Sequence, residues 1–242
     1  MFSETAEYYD TIYLAMKDYG AEAEKLTAFV HQYGRSTGNW LLDVACGTGL
    51  HLSYLKQHFQ VEGLDLDEQL LAIARQRNPA VPLHHTDMVD FALGCTFDVV
   101  TCLFSAIGYV KTLENLSRAV QCMARHLAPG GVLLIEPWFT PDTWYPGTVG
   151  ARFINEPHLK IARMNTSSVE GRLSIMDMHY LVGTPEGIHH VVERHELGLF
   201  TPEEMSHALT TCGLEVTYDA AGLTGRGLYI GQRGMFMRVS CP

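Results

Sequence analysis

Residues 41–49, Leu41-Leu42-Asp43-Val44-Ala45-Cys46-Gly47-Thr48-Gly49, decide how this chain folds. A short apolar run ends in an acid, and a glycine-rich turn follows at once. That is the form of a first strand in an open parallel sheet, where ligands bind beyond the strand C-termini and the turn must let backbone come close. Gly47 and Gly49 lack the side chains that would block such an approach. A second marker stands 22 residues beyond Asp43, where Val61-Glu62-Gly63-Leu64-Asp65 ends another apolar run in another acid. The third is Val81-Pro82-Leu83-His84, which runs into His85-Thr86-Asp87-Met88.

These markers separate two classes of nucleoside ligand. A dinucleotide fold holds a pyrophosphate on the first turn and the helix after it, normally through G-x-G-x-x-G. Here positions 45, 47 and 49 are Ala, Gly and Gly and position 52 is Leu, so the third dinucleotide glycine is missing. S-adenosylmethionine (SAM) carries no phosphate; its amino-acid end and ribose diol require acceptors, which Asp43, mostly through the turn, and Asp65 can supply. Asp65 alone decides nothing, because an acid about 20 residues on also reads the ribose in NAD proteins. Asp87 decides in favour of SAM: an acid there accepts from the adenine amino group while Met88 packs on the ring.

At 242 residues the chain suits one enlarged α/β domain with a small appendage. Its net charge of −10, with no basic run, argues against a nucleic-acid partner. The longest apolar stretches, such as 131–135, fall far short of the ~20 residues of a bilayer span. No basic start followed by an apolar signal segment is present, so a cytoplasmic protein without membrane contact is expected. The cysteines at 46, 95, 102, 122, 212 and 241 lack C-x-x-C spacing and read as buried small hydrophobes or free thiols. His84-His85 and His189-His190 invite a metal reading, but neighbours on a strand point to opposite faces, so no metal is expected.

From Trp40 to Trp138, strand-like runs alternate with helical segments, as in a Rossmann-like doubly wound sheet. Five runs (40–46, 61–66, 81–87, 97–105 and 131–138) and closing strands near 215–218 and 227–232 make a seven-stranded sheet. Helices are expected from the acid cap Asp67 to Arg75, and over 113–127, stopped by Ala128-Pro129-Gly130-Gly131. Thr201-Pro202-Glu203-Glu204 combines a cap, a proline at the first position and a capping-box acid. Between 140 and 200 the rhythm breaks: Leu173–Leu181 and Ile188–Leu199 alternate polar and apolar residues and read as antiparallel strands joined at Thr184-Pro185-Glu186-Gly187. We therefore expect a SAM-binding unit of residues 1–139 and 201–242, with a small antiparallel β lid inserted at 140–200 on the substrate side. At the front, Tyr8-Tyr9-Asp10 and Lys17-Asp18-Tyr19 lie in expected helices. Their plain reading is a surface amphipathic face. Their functional reading is a cover over the cofactor, since a tyrosine face attracts a sulfonium by about 0.5–2 kcal/mol.

On these residues the chain resembles the bacterial N,N-dimethyltransferases that finish TDP-linked aminodeoxysugars, the desosamine and mycaminose enzymes. Beyond the general SAM motifs the resemblance runs nearly end to end, through Val61-Glu62-Gly63-Leu64, Leu71-Ala72-Ile73-Ala74-Arg75, His84-His85-Thr86-Asp87-Met88, Phe104-Ser105-Ala106-Ile107-Gly108-Tyr109, Glu136-Pro137-Trp138 and Gly225-Arg226-Gly227. It implies a SAM pocket lined by Tyr9, Tyr19, Ala45, Asp65, Leu66, Asp87, Met88 and Leu103, with S-adenosylhomocysteine as product. Tyr109, Glu136, Trp138, Arg163 and Arg226 would face the acceptor, the arginines near its pyrophosphate, which suits their planar donor fork. Tyr109 and Glu136 are the candidates for orienting the amine, and the resemblance also implies a homodimer. The chain departs from its relatives where Asn165 to Glu170 lacks their nearby basic residues and where Tyr109 replaces a histidine found in some. N- or O-methylation of another small metabolite, and SAM binding without turnover, stay open as alternatives.

Overall fold

The computed structural model describes residues 5–235, so Cys241 lies outside the described residues. Two helices, α1 (Ala6–Leu14) and α2 (Tyr19–Tyr33), precede the first strand. Strands and helices then alternate, except that β3 leads to β4 with no helix between: β1 (Trp40–Val44), α3 (Leu50–Leu55), β2 (Gln60–Asp65), α4 (Glu68–Arg77), β3 (Leu83–His85), β4 (Phe97–Cys102), α5 (Leu113–Arg125) and β5 (Leu127–Ile135). Four more strands follow, β6 (Val149–Glu156), β7 (Leu159–Glu170), β8 (Leu173–Thr184) and β9 (Gly187–Gly198), and then α6 (Pro202–Thr211), β10 (Leu214–Asp219) and β11 (Leu228–Arg233).

Seven of these strands form one sheet in the order β10-β11-β5-β4-β1-β2-β3. β1 pairs in parallel with both β2 and β4, so the strand order reverses at the C-terminal ends of β1 and β4, where a crevice opens. Alternate residues of each central strand are buried on opposite faces: Leu42, Val100 and Leu133 pack under α5 and α6, while Leu41, Val99 and Leu134 pack under α2 and α3. β11 is antiparallel to both neighbours. Its connection from β10, residues 220–227, is shorter than the roughly one dozen residues a parallel crossover needs.

The helix ends follow the sequence signals closely. Asp67 caps α4 through the amides of Gln69 and Leu70, and Thr201 and Glu204 form the reciprocal capping box of α6 with Pro202 in the first turn. Asp18 caps α2 by accepting from Ala21 N at 2.9 Å, which starts that helix at Tyr19 and leaves Lys17 in the preceding turn rather than in a helix.

The second sheet, β6-β7-β8-β9, is antiparallel throughout. β8 and β9 meet at the expected turn, with Thr184 opposite Gly187. β6 and β7 were not expected, and burial shows why. The inward positions of β7 are Ile161, Arg163, Asn165 and Ser167, while Met164 faces outward and is 48% exposed, so the polar–apolar alternation that marks a strand is erased. Ile12, Tyr13 and Tyr19 pack with Ile161, Met178, Tyr180 and Val182, which seats α1 against the inner face of this sheet.

Candidate active site

The turn after β1 holds three residues in the left-handed region: Ala45 (φ 60°), Gly47 (φ 55°) and Gly49 (φ 71°). The two glycines serve different ends. A Cβ on Gly47 would meet no heavy atom within 4 Å and would project into open cavity. A Cβ on Gly49 would lie 2.8 Å from Asn78 Nδ2 and 3.1 Å from Ala74 Cβ. Gly49 therefore lets α3 pack on α4, and it lines neither of the two cavities described below.

At the sheet's switch point lies a cavity of about 370 Å³, within the range of small-molecule sites. Ala45, Gly47, Asp65, Leu66, Asp87, Met88 and Leu103 all line it, with Tyr9 from α1 as cover. Asp65 is 7% exposed and accepts from Gly47 N through Oδ2 and from Asp67 N through Oδ1, each at 2.8 Å. Burial raises its carboxyl pKa against the pull of the backbone amides of Asp67, Gly47 and Leu66. Asp87 Oδ1 takes the amide of Val89 at 3.0 Å, fixing the turn that presents Met88.

A second cavity of about 30 Å³ adjoins the first, sharing Tyr9, Ala45, Gly47, Leu103 and Phe104. Asp43 and Tyr19 line this one and not the larger. Asp43 is 2% exposed, accepts from Thr101 Oγ1 at 2.7 Å, and has its pKa pushed up to about 6 by burial, with His51 and Thr101 opposing. Behind it stands a cluster that sequence reasoning missed: His51 Nε2 lies 2.8 Å and Lys17 Nζ 3.0 Å from Glu22 Oε2. Burial opposes ionisation of Glu22, but His51 and Lys17 outweigh it and lower its pKa. Asp10 was missed in the same way. It accepts from Thr48 Oγ1 at 2.6 Å and pairs with Arg77, so α1 is tied down onto the glycine turn.

Tyr109, Trp138, Arg163 and Arg226 also line the large cavity, from four different segments. Arg226 donates to Ser105 Oγ at 2.9 Å, with its guanidinium carbon 5.2 Å from the Trp138 ring centroid. Trp138 Nε1 donates to Ser174 Oγ on β8 at 2.8 Å. Glu136 is placed differently. It is fully buried, lines neither cavity, and accepts from Phe104 N and from Thr224 Oγ1, each at 2.7 Å. It braces the turn in which Phe104 and Ser105 adopt positive φ, and the loop that carries Arg226. In this structure Glu136, expected to orient the amine, turns both carboxylate oxygens toward Phe104 and Thr224. Among the described residues no group of three or more His, Cys, Asp or Glu could hold a metal ion, and no helix is long and apolar enough to cross a membrane.

The residues present fit SAM. An uncovered backbone cradle at Gly47 adjoins a buried carboxylate, with an acid and a methionine at the far end and a small acid-lined annex for the amino-acid portion. Comparison with known proteins agrees. Residues 41–131 match the family described as a methyltransferase domain. The chain is 44% identical over 234 residues to the dTDP-3-amino-3,6-dideoxy-alpha-D-glucopyranose N,N-dimethyltransferase of Streptomyces fradiae, covering 96% of this chain and 91% of that one. Among solved structures, Streptomyces venezuelae DesVI superimposes with a TM-score of 0.90 at 41% identity, covering 95% of this chain and 98% of that one. SAM-bound CalS10, an amino pentose methyltransferase from Micromonospora echinaspora, superimposes at 0.86 with 40% identity, covering 93% and 96%. This chain accordingly belongs to the SAM-dependent N,N-dimethyltransferases of nucleotide-linked aminosugars.

Proposed function

We propose that this methyltransferase acts on the amino nitrogen of a nucleotide-linked 3-amino-deoxyhexose and converts it to the N,N-dimethyl form. The observation that carries the choice of acceptor is a pair of cations. Arg163 and Arg226 both line the large cavity, and neither has a carboxylate within 4.0 Å among the described residues. Two guanidinium groups without acid partners, in a chain of net charge −10, suit a diphosphate.

SAM, when bound, supplies a methyl group on a sulfonium leaving group. The chain's task is alignment, and proximity with orientation contributes about 7–11 kcal/mol. In this reading Asp65 accepts from the ribose diol, Asp87 from the adenine amino group, and Asp43 with the glycine turn receives the amino-acid end. Tyr9 and Phe104 shut out water, Tyr109 faces the amine, and Trp138 with the two arginines holds the nucleotide-linked sugar. Residues 140–200 act as the substrate-side lid on a donor-binding unit of residues 1–139 and 201–242. The same reading places the enzyme in the cytoplasm, where nucleotide sugars are made. A second copy would cover the outer face of the lid sheet, where Phe153, Met164, Leu181 and Val192 are 48–71% exposed. Sedimentation at twice the 27.0 kDa chain mass is the check.

The test of the reaction is incubation with SAM and TDP-3-amino-3,6-dideoxyhexose, following S-adenosylhomocysteine and the singly and doubly methylated products by mass spectrometry. Methylation only of unrelated amines or alcohols, or tight SAM binding with no turnover, would overturn the reading.

Asp43 adds a pH dependence. Its folded-state pKa of about 6 lies above the ordinary aspartate value. Its contribution to stability is therefore fully present below about pH 4 and is lost as pH rises through about 6. The donor's ammonium favours the ionised carboxylate, so donor affinity is expected to fall by up to about tenfold per pH unit below about 6. Calorimetric titrations between pH 5 and pH 8 read this directly, and an affinity that stays flat across that range would remove Asp43 from the donor site.

A further inference from the structure

Tyr109 sits in a short 3-10 helix, Ala106–Val110, and its hydroxyl lies 2.8 Å from His195 Nδ1 on β9. Across the imidazole, His195 Nε2 is 3.6 Å from Glu193 Oε2. Glu193 is fixed in turn by Thr5, whose Oγ1 donates to Oε2 at 2.9 Å and whose amide donates to Oε1 at 3.2 Å. His195 and Glu193 are 1% and 5% exposed, whereas Tyr109 opens onto the large cavity. A carboxylate beside Nε2 favours the tautomer protonated there, which makes Nδ1 an acceptor and the Tyr109 hydroxyl its donor. Nothing in the alignment role of Tyr109 requires a buried His–Glu pair behind it.

From this geometry we infer that Tyr109, His195 and Glu193 form a proton relay that strips the acceptor ammonium before methyl transfer. An N–H bond of the ammonium breaks and its proton joins Tyr109 Oη, while the hydroxyl's own proton passes to His195 Nδ1. The phenol is restored, His195 becomes an imidazolium beside the Glu193 carboxylate, and the electron pair left on nitrogen forms the bond to the methyl group as that group's bond to sulfur breaks and its electron pair stays on sulfur, leaving a neutral thioether. The proton returns through Tyr109 to water when the site opens. Burial pushes the Tyr109 pKa well above its ordinary value, so the side chain passes a proton on rather than ionising. The charged and titratable groups around the relay include Tyr9 and Tyr13 of α1, Asp65 of β2, Arg163 of β7, Tyr180 of β8 and Glu193 of β9. Arg163 shares the cavity with the ammonium and works against it as a like charge, whereas Glu193 stabilises the imidazolium. Tyr109 is the catalytic residue here; His195 and Glu193 are positioning residues that act through it.

The relay rests on the amine acceptor proposed above, and its size follows from that amine. With a pKa of about 8, roughly one-tenth of it is already neutral at pH 7 and roughly nine-tenths at pH 9. Tyr109→Phe and His195→Gln are therefore expected to lose about tenfold in kcat at pH 7, a deficit that closes to about 1.1-fold by pH 9. S-adenosylhomocysteine affinity serves as the check that each variant is folded. A deficit of equal size at both pH values in Tyr109→Phe, which keeps the ring and its packing, would overturn the relay while leaving amine methylation intact. A wild-type enzyme that methylates no aminosugar would overturn both readings. In the wild-type protein loaded with a non-reactive cationic donor analogue, nitrogen-15 NMR should show one histidine, absent from the His195→Gln spectrum, becoming an imidazolium as the acceptor is added. A His195 that stays neutral through that titration would also overturn the relay.

Discussion

Asp65→Ala is expected to weaken SAM binding by about a hundred- to ten-thousandfold. The carboxylate would accept from two ribose hydroxyls, and a hydrogen bond to a charged group is worth about 1.5–3 kcal/mol, so losing both costs about 3–6 kcal/mol. The same side chain receives the amides of Gly47 and Asp67, so its removal also loosens the glycine turn against which the donor lies. Asp65→Asn keeps one acceptor oxygen and loses the charge, and its affinity should fall between those of wild type and Asp65→Ala. Isothermal titration with SAM measures the series, and unchanged circular dichroism separates a binding loss from unfolding. Binding by Asp65→Ala within tenfold of wild type would mean that the nucleoside lies elsewhere.

Asp65 was legible because its signal is local: an apolar run, an acid at its C-terminal end and a glycine turn 18 residues earlier at Gly47 suffice to place it at a strand end beside that turn. Asp43 and Asp87 were readable on the same grounds. Signals that depend on which way a side chain turns were not. Glu136 follows β5 directly in the manner of a site acid, yet it turns back to hold Phe104 and Thr224, and the sequence around it is the same for either orientation. Gly49 looks like Gly47 on paper and differs only in having Asn78 and Ala74 behind it. The Lys17–Glu22–His51 and Asp10–Thr48–Arg77 clusters join segments distant in sequence, and no spacing rule announces them. β7 is the instructive miss. Its inner face carries Arg163 and Asn165 because it borders the cavity, so the requirement that builds the site is what removes the strand's pattern.

Arg163→Met is expected to raise thermal stability and lower activity at once. Arg163 is 7% exposed, its Nε has no hydrogen-bond partner among the described residues, and its Nη1 reaches Tyr13 Oη at only 3.5 Å. Glu193 on the same sheet is engaged by Thr5 and lies beyond 4.0 Å of it. A desolvated cation without an acid partner is costly, and replacing buried charge with an apolar side chain of similar length commonly stabilises by about 1–4 kcal/mol. For a chain of this size each kcal/mol moves Tm by roughly 2–4 °C, so scanning calorimetry should show a gain of several degrees without ligand. The cost falls on the acceptor. Losing charge-assisted bonds worth about 1.5–3 kcal/mol should lower kcat/KM for the nucleotide-linked sugar by about ten- to two-hundredfold. Donor affinity should not change, and an aminosugar without the diphosphate should react with wild type and variant alike. The opposite signs make the test sharp, because a merely structural arginine would lower Tm when removed and would not distinguish acceptors by their phosphates. A fall in Tm together with an unchanged kcat/KM would take Arg163 out of the acceptor site and leave Arg226 as the one remaining arginine lining the large cavity among the described residues.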